Sequence, residues 1–218
     1  MYKLGLLFIS LIMSNSVFCQ QKNLAKVLLD EVSSKMGEYN NMQLNFSTSL
    51  INVDAGINEG DELPNYGEIY LQQEKYNLDY LGNTFIFNGN KLYVINHDEK
   101  EIIINDQDLN EDDGIIYPSK LLTFYKDGYN YSMSNLIKLR NRKIQMIELT
   151  PIDSNSEIIK VELGIDILTK HIYKLIQFGE NGTKTILTIH KFKSDQKFSK
   201  EIFEFNKSKF EKLDYLID

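Results

Sequence analysis

The sequence predicts a mainly β, antiparallel protein folded as a single domain, and three observations carry that reading. Residues 66–106 hold five short strand-like runs joined by two- to five-residue connections. Parallel neighbours need a crossover of a dozen or more residues, so these runs must pair antiparallel. The connections carry turn chemistry, clearest at Asn88-Gly89-Asn90 and repeated at Gly82-Asn83 and His97-Asp98-Glu99-Lys100; Asn and Gly accept the positive φ of tight hairpins. A second series of longer runs follows from Tyr129 to Lys193. A length of 218 residues suits one all-β domain, and no break in composition marks a second.

The N-terminus reads as a targeting segment. Lys3 supplies the positive start, LGLLFISLIM the apolar core and SNSVFC the small-residue exit. The apolar run is shorter than the roughly 20 residues that span a bilayer. We read residues 1–19 as a signal peptide cleaved after Cys19, and residues 20–218 as the mature domain. Acylation at Cys19 is the alternative, but Phe18 is bulkier than that processing tolerates. Cleavage removes the one cysteine, leaving no disulfide and no thiol chemistry.

Asn23 to Tyr39 follows as an amphipathic helix, with Leu24, Val27, Leu28, Val32, Met36 and Tyr39 at three- and four-residue steps. Met42 to Val53 is the first strand, Leu44 and Phe46 sharing one parity. Asp54 to Pro64 is an acidic loop whose spacing does not match a calcium loop. In the meander, alternation puts Tyr76, Leu78 and Tyr80 on one face against Asn77 and Asp79, and Ile69 and Leu71 against Glu68 and Tyr70. From Thr84 onward, TFIF, LYVI and EIII are apolar on both faces. Such a sheet is either covered on both sides or curled around an apolar interior.

Asp106 to Gly114 is a second acidic, solvated connection. Pro118 and Gly128 bracket a short apolar helix, Ser119 to Lys126, carrying Leu121, Leu122, Phe124 and Tyr125. Five strands then run at Tyr129–Leu139, Lys143–Ile152, Glu157–Asp166, Lys170–Phe178 and Thr183–Lys193. Gly179 to Gly182 is the strongest hairpin signal among them. Phe203, Phe205, Tyr215, Leu216 and Ile217 point to a final strand and a tail that packs.

Chemistry-bearing motifs are sparse. His97, His171 and His190 lie in unrelated segments, and no metalloprotease, nucleophile-elbow, phosphate-loop or dinucleotide motif occurs. A net charge of −7 argues against general nucleic-acid binding. The 13 Tyr and 12 Phe suit the walls of an amphipathic cavity. No catalytic residue, metal site or cofactor is expected, and the outline is that of a binding container.

The order of several short motifs resembles LolA-type outer-membrane lipoprotein carriers. They are Tyr66-Gly67-Glu68-Ile69-Tyr70-Leu71, Lys75-Tyr76-Asn77-Leu78, Phe87-Asn88-Gly89-Asn90-Lys91-Leu92-Tyr93, Tyr117-Pro118-Ser119-Lys120-Leu121-Leu122, Ile147-Glu148-Leu149-Thr150-Pro151 and Phe203-Glu204-Phe205. The resemblance implies an incomplete, strongly curved antiparallel β-barrel of about eleven strands with an α-helical lid. It implies a periplasmic chaperone, monomeric, that holds lipoprotein acyl chains in an apolar cavity and carries them from inner to outer membrane. The implied partners are acylated lipoproteins, an inner-membrane lipoprotein-releasing complex, and an outer-membrane acceptor or the outer membrane itself. The family's aromatic cavity position falls on Tyr76. The expected cavity wall is Leu44, Phe46, Ile69, Leu71, Tyr76, Leu78 and Tyr80, and the expected lid residues are Leu24, Leu28, Leu121, Leu122 and Tyr125. Family members often latch the lid with an arginine before the turn; here Leu71-Gln72-Gln73-Glu74 has none, and Gln73 offers only neutral hydrogen bonds. A membrane-anchored acceptor or lipid-sensing domain of the same fold is the alternative, and a hydrolase or isomerase with an inward-facing His or carboxylate is a third.

Overall fold

Among the described residues, alternating apolar residues and well-placed turns fold into twelve strands of one sheet. The structure, a computed structural model, describes residues 24–106 and 123–218. The expected leader, nearly all of the second acidic connection, and Leu121 and Leu122 lie outside the described residues. In chain order the first meander is β1 (Met42–Ile51), β2 (Asn65–Gln72), β3 (Lys75–Tyr80), β4 (Asn83–Phe87), β5 (Leu92–Asn96) and β6 (Glu101–Asn105). The second is β7 (Tyr129–Leu139), β8 (Arg142–Pro151), β9 (Ile158–Asp166), β10 (Ile172–Gly179) and β11 (Lys184–Ser194), and a two-residue β12 (Leu216–Ile217) ends the chain.

The strand order is β12-β6-β5-β4-β3-β2-β1-β11-β10-β9-β8-β7. Pairing of β1 with β11, Met42 opposite Ser194 and Ile51 opposite Lys184, joins the two meanders. Every pairing is antiparallel except β12 with β6. Among the described residues the sheet has two free edges, β12 and β7, and is an open barrel, with twelve strands where about eleven were expected. Its curl brings both meanders onto one apolar interior, shared by Leu44, Ile69, Tyr76 and Leu92 from the first and Ile147, Leu163, Leu175 and Ile189 from the second. Helix α1, residues 24–37, packs into that interior.

The two-faced character of β4–β6 has a direct cause. Phe85, Phe87, Leu92 and Val94 face the interior. Ile86, Tyr93, Ile95, Ile102 and Ile104 face outward, where the C-terminal segment covers them with Phe205, Phe210, Tyr215 and Ile217. Phe205 stacks on Tyr93 at 4.5 Å between ring centroids and on Phe210 at 5.4 Å. Both alternatives left open by the sequence are therefore realised: the sheet curls, and its outer face is covered here.

Two expectations need correction. The first strand stops at Ile51 because Asn52 caps a 3-10 turn over Val53–Ala55, its side chain accepting from the Ala55 N–H at 3.1 Å. The final strand is only two residues long and parallel. Before it, Ser199 caps a 3-10 turn (Lys200–Phe203) and Asn206 caps helix α2 (Lys207–Glu211), so Phe203 and Phe205 pack from turns. The expected short apolar helix, Ser119 to Lys126, lies half outside the described residues, and its described part carries a 3-10 turn over Phe124–Lys126.

Candidate functional site

Register organises the inner face into rows. Leu44, Ile69, Leu78, Phe85, Val94 and Ile103 stand opposite one another across β1–β6. Burial falls along this row: Leu44 and Ile69 are buried, Leu78, Phe85 and Val94 are partly exposed, and Ile103 at the edge is 47% exposed. In the next row, Leu71, Tyr76, Phe87 and Leu92 are all buried. One row the other way, Phe46 lies opposite Gly67 and Gly67 opposite Tyr80. The Phe46 ring covers Gly67 so closely that an added Cβ would stand 2.4 Å from its Cζ. Tyr80 packs on Phe46 at 5.7 Å and shares a 2.5 Å hydrogen bond with the Thr48 hydroxyl.

Helix α1 packs into this interior. Ala25, Leu28, Leu29, Val32 and Met36 are buried against it, whereas Leu24 is 52% exposed and is not a covering residue. The buried stripe is centred on Ala25, Leu29, Val32 and Met36, which leaves Leu24 and Val27 on its margin. Gln73 is no latch either, being exposed in the β2–β3 turn at φ +56°. The helix is held from the other meander: Glu31 pairs with Lys170 in the β9–β10 turn, and the Tyr39 hydroxyl meets His171 Nε2 at 2.8 Å. His171 also stacks on Phe192 at 3.8 Å. Burial holds the His171 pKa below its ordinary value; Asp166 opposes the shift, while Lys35 and Arg142 reinforce it.

Tyr125 is wholly buried in the same interior, and among the described residues its hydroxyl has no hydrogen-bond partner. Burial raises its pKa far above the usual phenol range. At the far end of β9–β11 a cleft of about 450 Å³ opens, lined by Glu157, Ile158, Gln177, Asn181, Thr183 and Thr185. Of these, Ile158 packs against the apolar interior.

The expected cavity wall thus divides. Leu44, Phe46, Ile69, Leu71 and Tyr76 are buried in packing, and Leu78 and Tyr80 remain partly accessible. Phe85, Val94 and Ile103 belong to the accessible wall and were not singled out. The alternation in TFIF and LYV, carried across the Asn88-Gly89-Asn90 turn, is the signal that could have found them.

The strands also bring hydroxyls to histidines that look isolated in sequence. Ser47 Oγ lies 2.7 Å from His190 Nε2, and Thr84 Oγ1 lies 2.8 Å from His97 Nε2. Ser47 has the outward parity opposite to Phe46 and Thr48, away from the apolar interior. Thr84 donates to Asp79 at 2.5 Å, and His97 Nδ1 meets the Tyr215 hydroxyl at 3.0 Å. This chain of bonds ties the tail to the β3–β4 and β5–β6 turns beside a cleft of about 250 Å³. Among the described residues, no group of three or more His, Cys, Asp or Glu is placed to hold a metal.

No protein-family model and no curated protein matches the chain. Among solved structures, an uncharacterized conserved protein from Thermus thermophilus superimposes with a TM-score of 0.58 at 11% identity, over 88% of this chain and 97% of that one. That likeness shows a shared fold. A putative outer membrane lipoprotein-sorting protein domain from Vibrio parahaemolyticus gives a TM-score of 0.47 at 11% identity over 87% and 99% of the two chains. A LolA superfamily protein from Nitrosomonas europaea gives 0.40 at 12% identity over 83% and 97%. The architecture itself is the open, curled antiparallel sheet that the sequence led one to expect, with an N-terminal helix packed against its apolar interior.

Proposed function

We propose that this chain binds the acyl chains of lipoproteins against the inner face of its sheet and carries them through the periplasm, from inner to outer membrane. The observation that supports this best is the apolar row Leu78–Phe85–Val94–Ile103, which emerges from beneath packed residues and opens progressively toward solvent. An apolar strip of this kind on a curled sheet gives an alkyl chain a long contact without requiring a polar partner.

In this reading α1 and the acyl chain compete for one interior. Leu28, Leu29, Val32 and Met36 are buried, at about 1.5–3 kcal/mol each, or roughly 6–12 kcal/mol together. An acyl chain of about sixteen carbons at about 0.8 kcal/mol per methylene offers roughly 12 kcal/mol. The near balance lets cargo displace the helix without trapping either state. The Glu31–Lys170 and Tyr39–His171 contacts then hold the helix in place of the latch arginine that the family uses. Residues 1–19 serve as the cleaved leader, and the partners are acylated lipoproteins, the complex that releases them and the acceptor membrane.

The test is displacement of a fluorescent fatty-acyl probe. Leu78→Glu puts a carboxylate into the half-open wall, where desolvation opposes its charge, and the folded variant binds the probe at least tenfold more weakly. Lys170→Glu sets two carboxylates against each other, loosens α1 and tightens binding. Unchanged binding by a folded Leu78→Glu protein means that this face is not the site.

A further inference from the structure

We infer that the end of the sheet formed by the β7–β8 hairpin and the β9–β10 turn is a contact surface for an anionic lipid bilayer. The chain carries a net charge of −7, yet both of its arginines, Arg140 and Arg142, lie in this one hairpin. Residues 138–143 (KLRNRK) hold four cations and no carboxylate. Register sets Lys138 directly opposite Lys143, an unfavourable pairing of like charges that an anionic partner relieves. Arg142 is engaged by buried Asp166 at 3.6 Å and by the Tyr173 ring at 5.9 Å. Among the described residues, Lys138, Arg140 and Lys143 have no carboxylate partner.

The neighbouring turn supplies the apolar half. The Ile167 N–H donates to the Lys143 carbonyl at 3.0 Å, which places the β9–β10 turn beside the hairpin tip. Leu168 at that turn is 86% exposed, and Leu136 and Leu139 on the hairpin are exposed as well. The turn holds Leu168 outward because Asp166 Oδ1 accepts from the backbone N–H groups of Leu168 and Thr169 at 3.0 and 3.3 Å. An acidic protein surface would satisfy the cations, but Leu168 would need a matching groove. A bilayer accepts both halves, with leucines in the acyl boundary and cations at the phosphate level. This extends the carrier reading but is carried by different residues, so the two fail separately.

Sedimentation of the chain with vesicles of phosphatidylcholine, with and without phosphatidylglycerol, tests it. The protein binds the phosphatidylglycerol vesicles, binds the neutral ones weakly, and releases as salt is raised. Lys138→Gln with Arg140→Gln, which spares the Arg142–Asp166 pair, weakens binding by about 25-fold, at about fivefold per charge. Leu168→Ser weakens it further, and Leu78→Glu leaves it unchanged. Circular dichroism confirms that each variant is folded. Failure of the wild-type protein to bind anionic vesicles, equal binding to neutral ones, or full binding by the double variant overturns the inference; an acidic protein partner then replaces the bilayer.

Discussion

Gly67→Ala tests the inner face at its tightest point. Gly67 stands between Phe46 on β1 and Tyr80 on β3, and its φ is not positive, so alanine meets no backbone objection. The obstacle is the Phe46 ring, 2.4 Å and 2.9 Å from the new Cβ at Cζ and Cε1. The ring has to swing away, breaking its packing against Tyr80. Overpacking of this kind costs about 1–3 kcal/mol. At about 2–4 °C per kcal/mol for a domain of this size, Tm falls by roughly 2–12 °C. Phe46→Ala alone empties the site and costs about 3–5 kcal/mol. In the double variant the new methyl enters the vacated space, so its loss falls short of the sum by about 1–3 kcal/mol. Thermal unfolding of the wild type, both single variants and the double reads that coupling directly. Strict additivity would refute the packing described for Phe46 over Gly67.

Two further outcomes follow from buried groups. Tyr125→Phe removes a hydroxyl that has no partner among the described residues; relief of its desolvation stabilises the protein by about 1 kcal/mol, raising Tm by about 2–4 °C, and a lower Tm contradicts this. His171 has a folded pKa below its ordinary 6.5, so the unfolded chain takes up the proton first as pH falls. Its contribution is complete above pH 6.5 and is lost as pH drops through the lower folded value. Melting curves over roughly pH 5–8 therefore slope less in His171→Gln than in the wild type; identical slopes exclude His171 as the group responsible.

The strands were largely legible because local signals agree with the fold. Tyr129–Leu139 and Glu101–Asn105 run as their alternation and turns indicate, and the inward parity of Tyr76, Leu78 and Tyr80 is realised. What stayed hidden depends on contacts distant in sequence. Apolar residues on both faces of β4–β6 announce a second cover, but nothing local says that Phe205 and Phe210 supply it. Helical spacing included Leu24 in the buried stripe; only the packed sheet shows the stripe centred one residue further on. The hold on α1 was sought beside Gln73, whereas it comes from Lys170 and His171 at the β9–β10 turn, the Tyr39–His171 pair being 132 residues apart in the chain. The final strand forms only at Leu216–Ile217; Phe203 and Phe205 stay outside it because Ser199 and Asn206 cap turns there, and capping outweighed the aromatic pattern.

The central claim is that cargo lies along the inner face, and photo-crosslinking with a diazirine-bearing acyl peptide tests it most directly. After irradiation and proteolysis, mass spectrometry locates each adduct. The account predicts labels on Leu78, Tyr80, Phe85 and Val94, which share that face across β3–β5, with labelling strengthened by Lys170→Glu and competed by unlabelled acyl peptide. Competed adducts on Ile86, Tyr93 or Ile95, which face outward beneath the C-terminal segment, would contradict it.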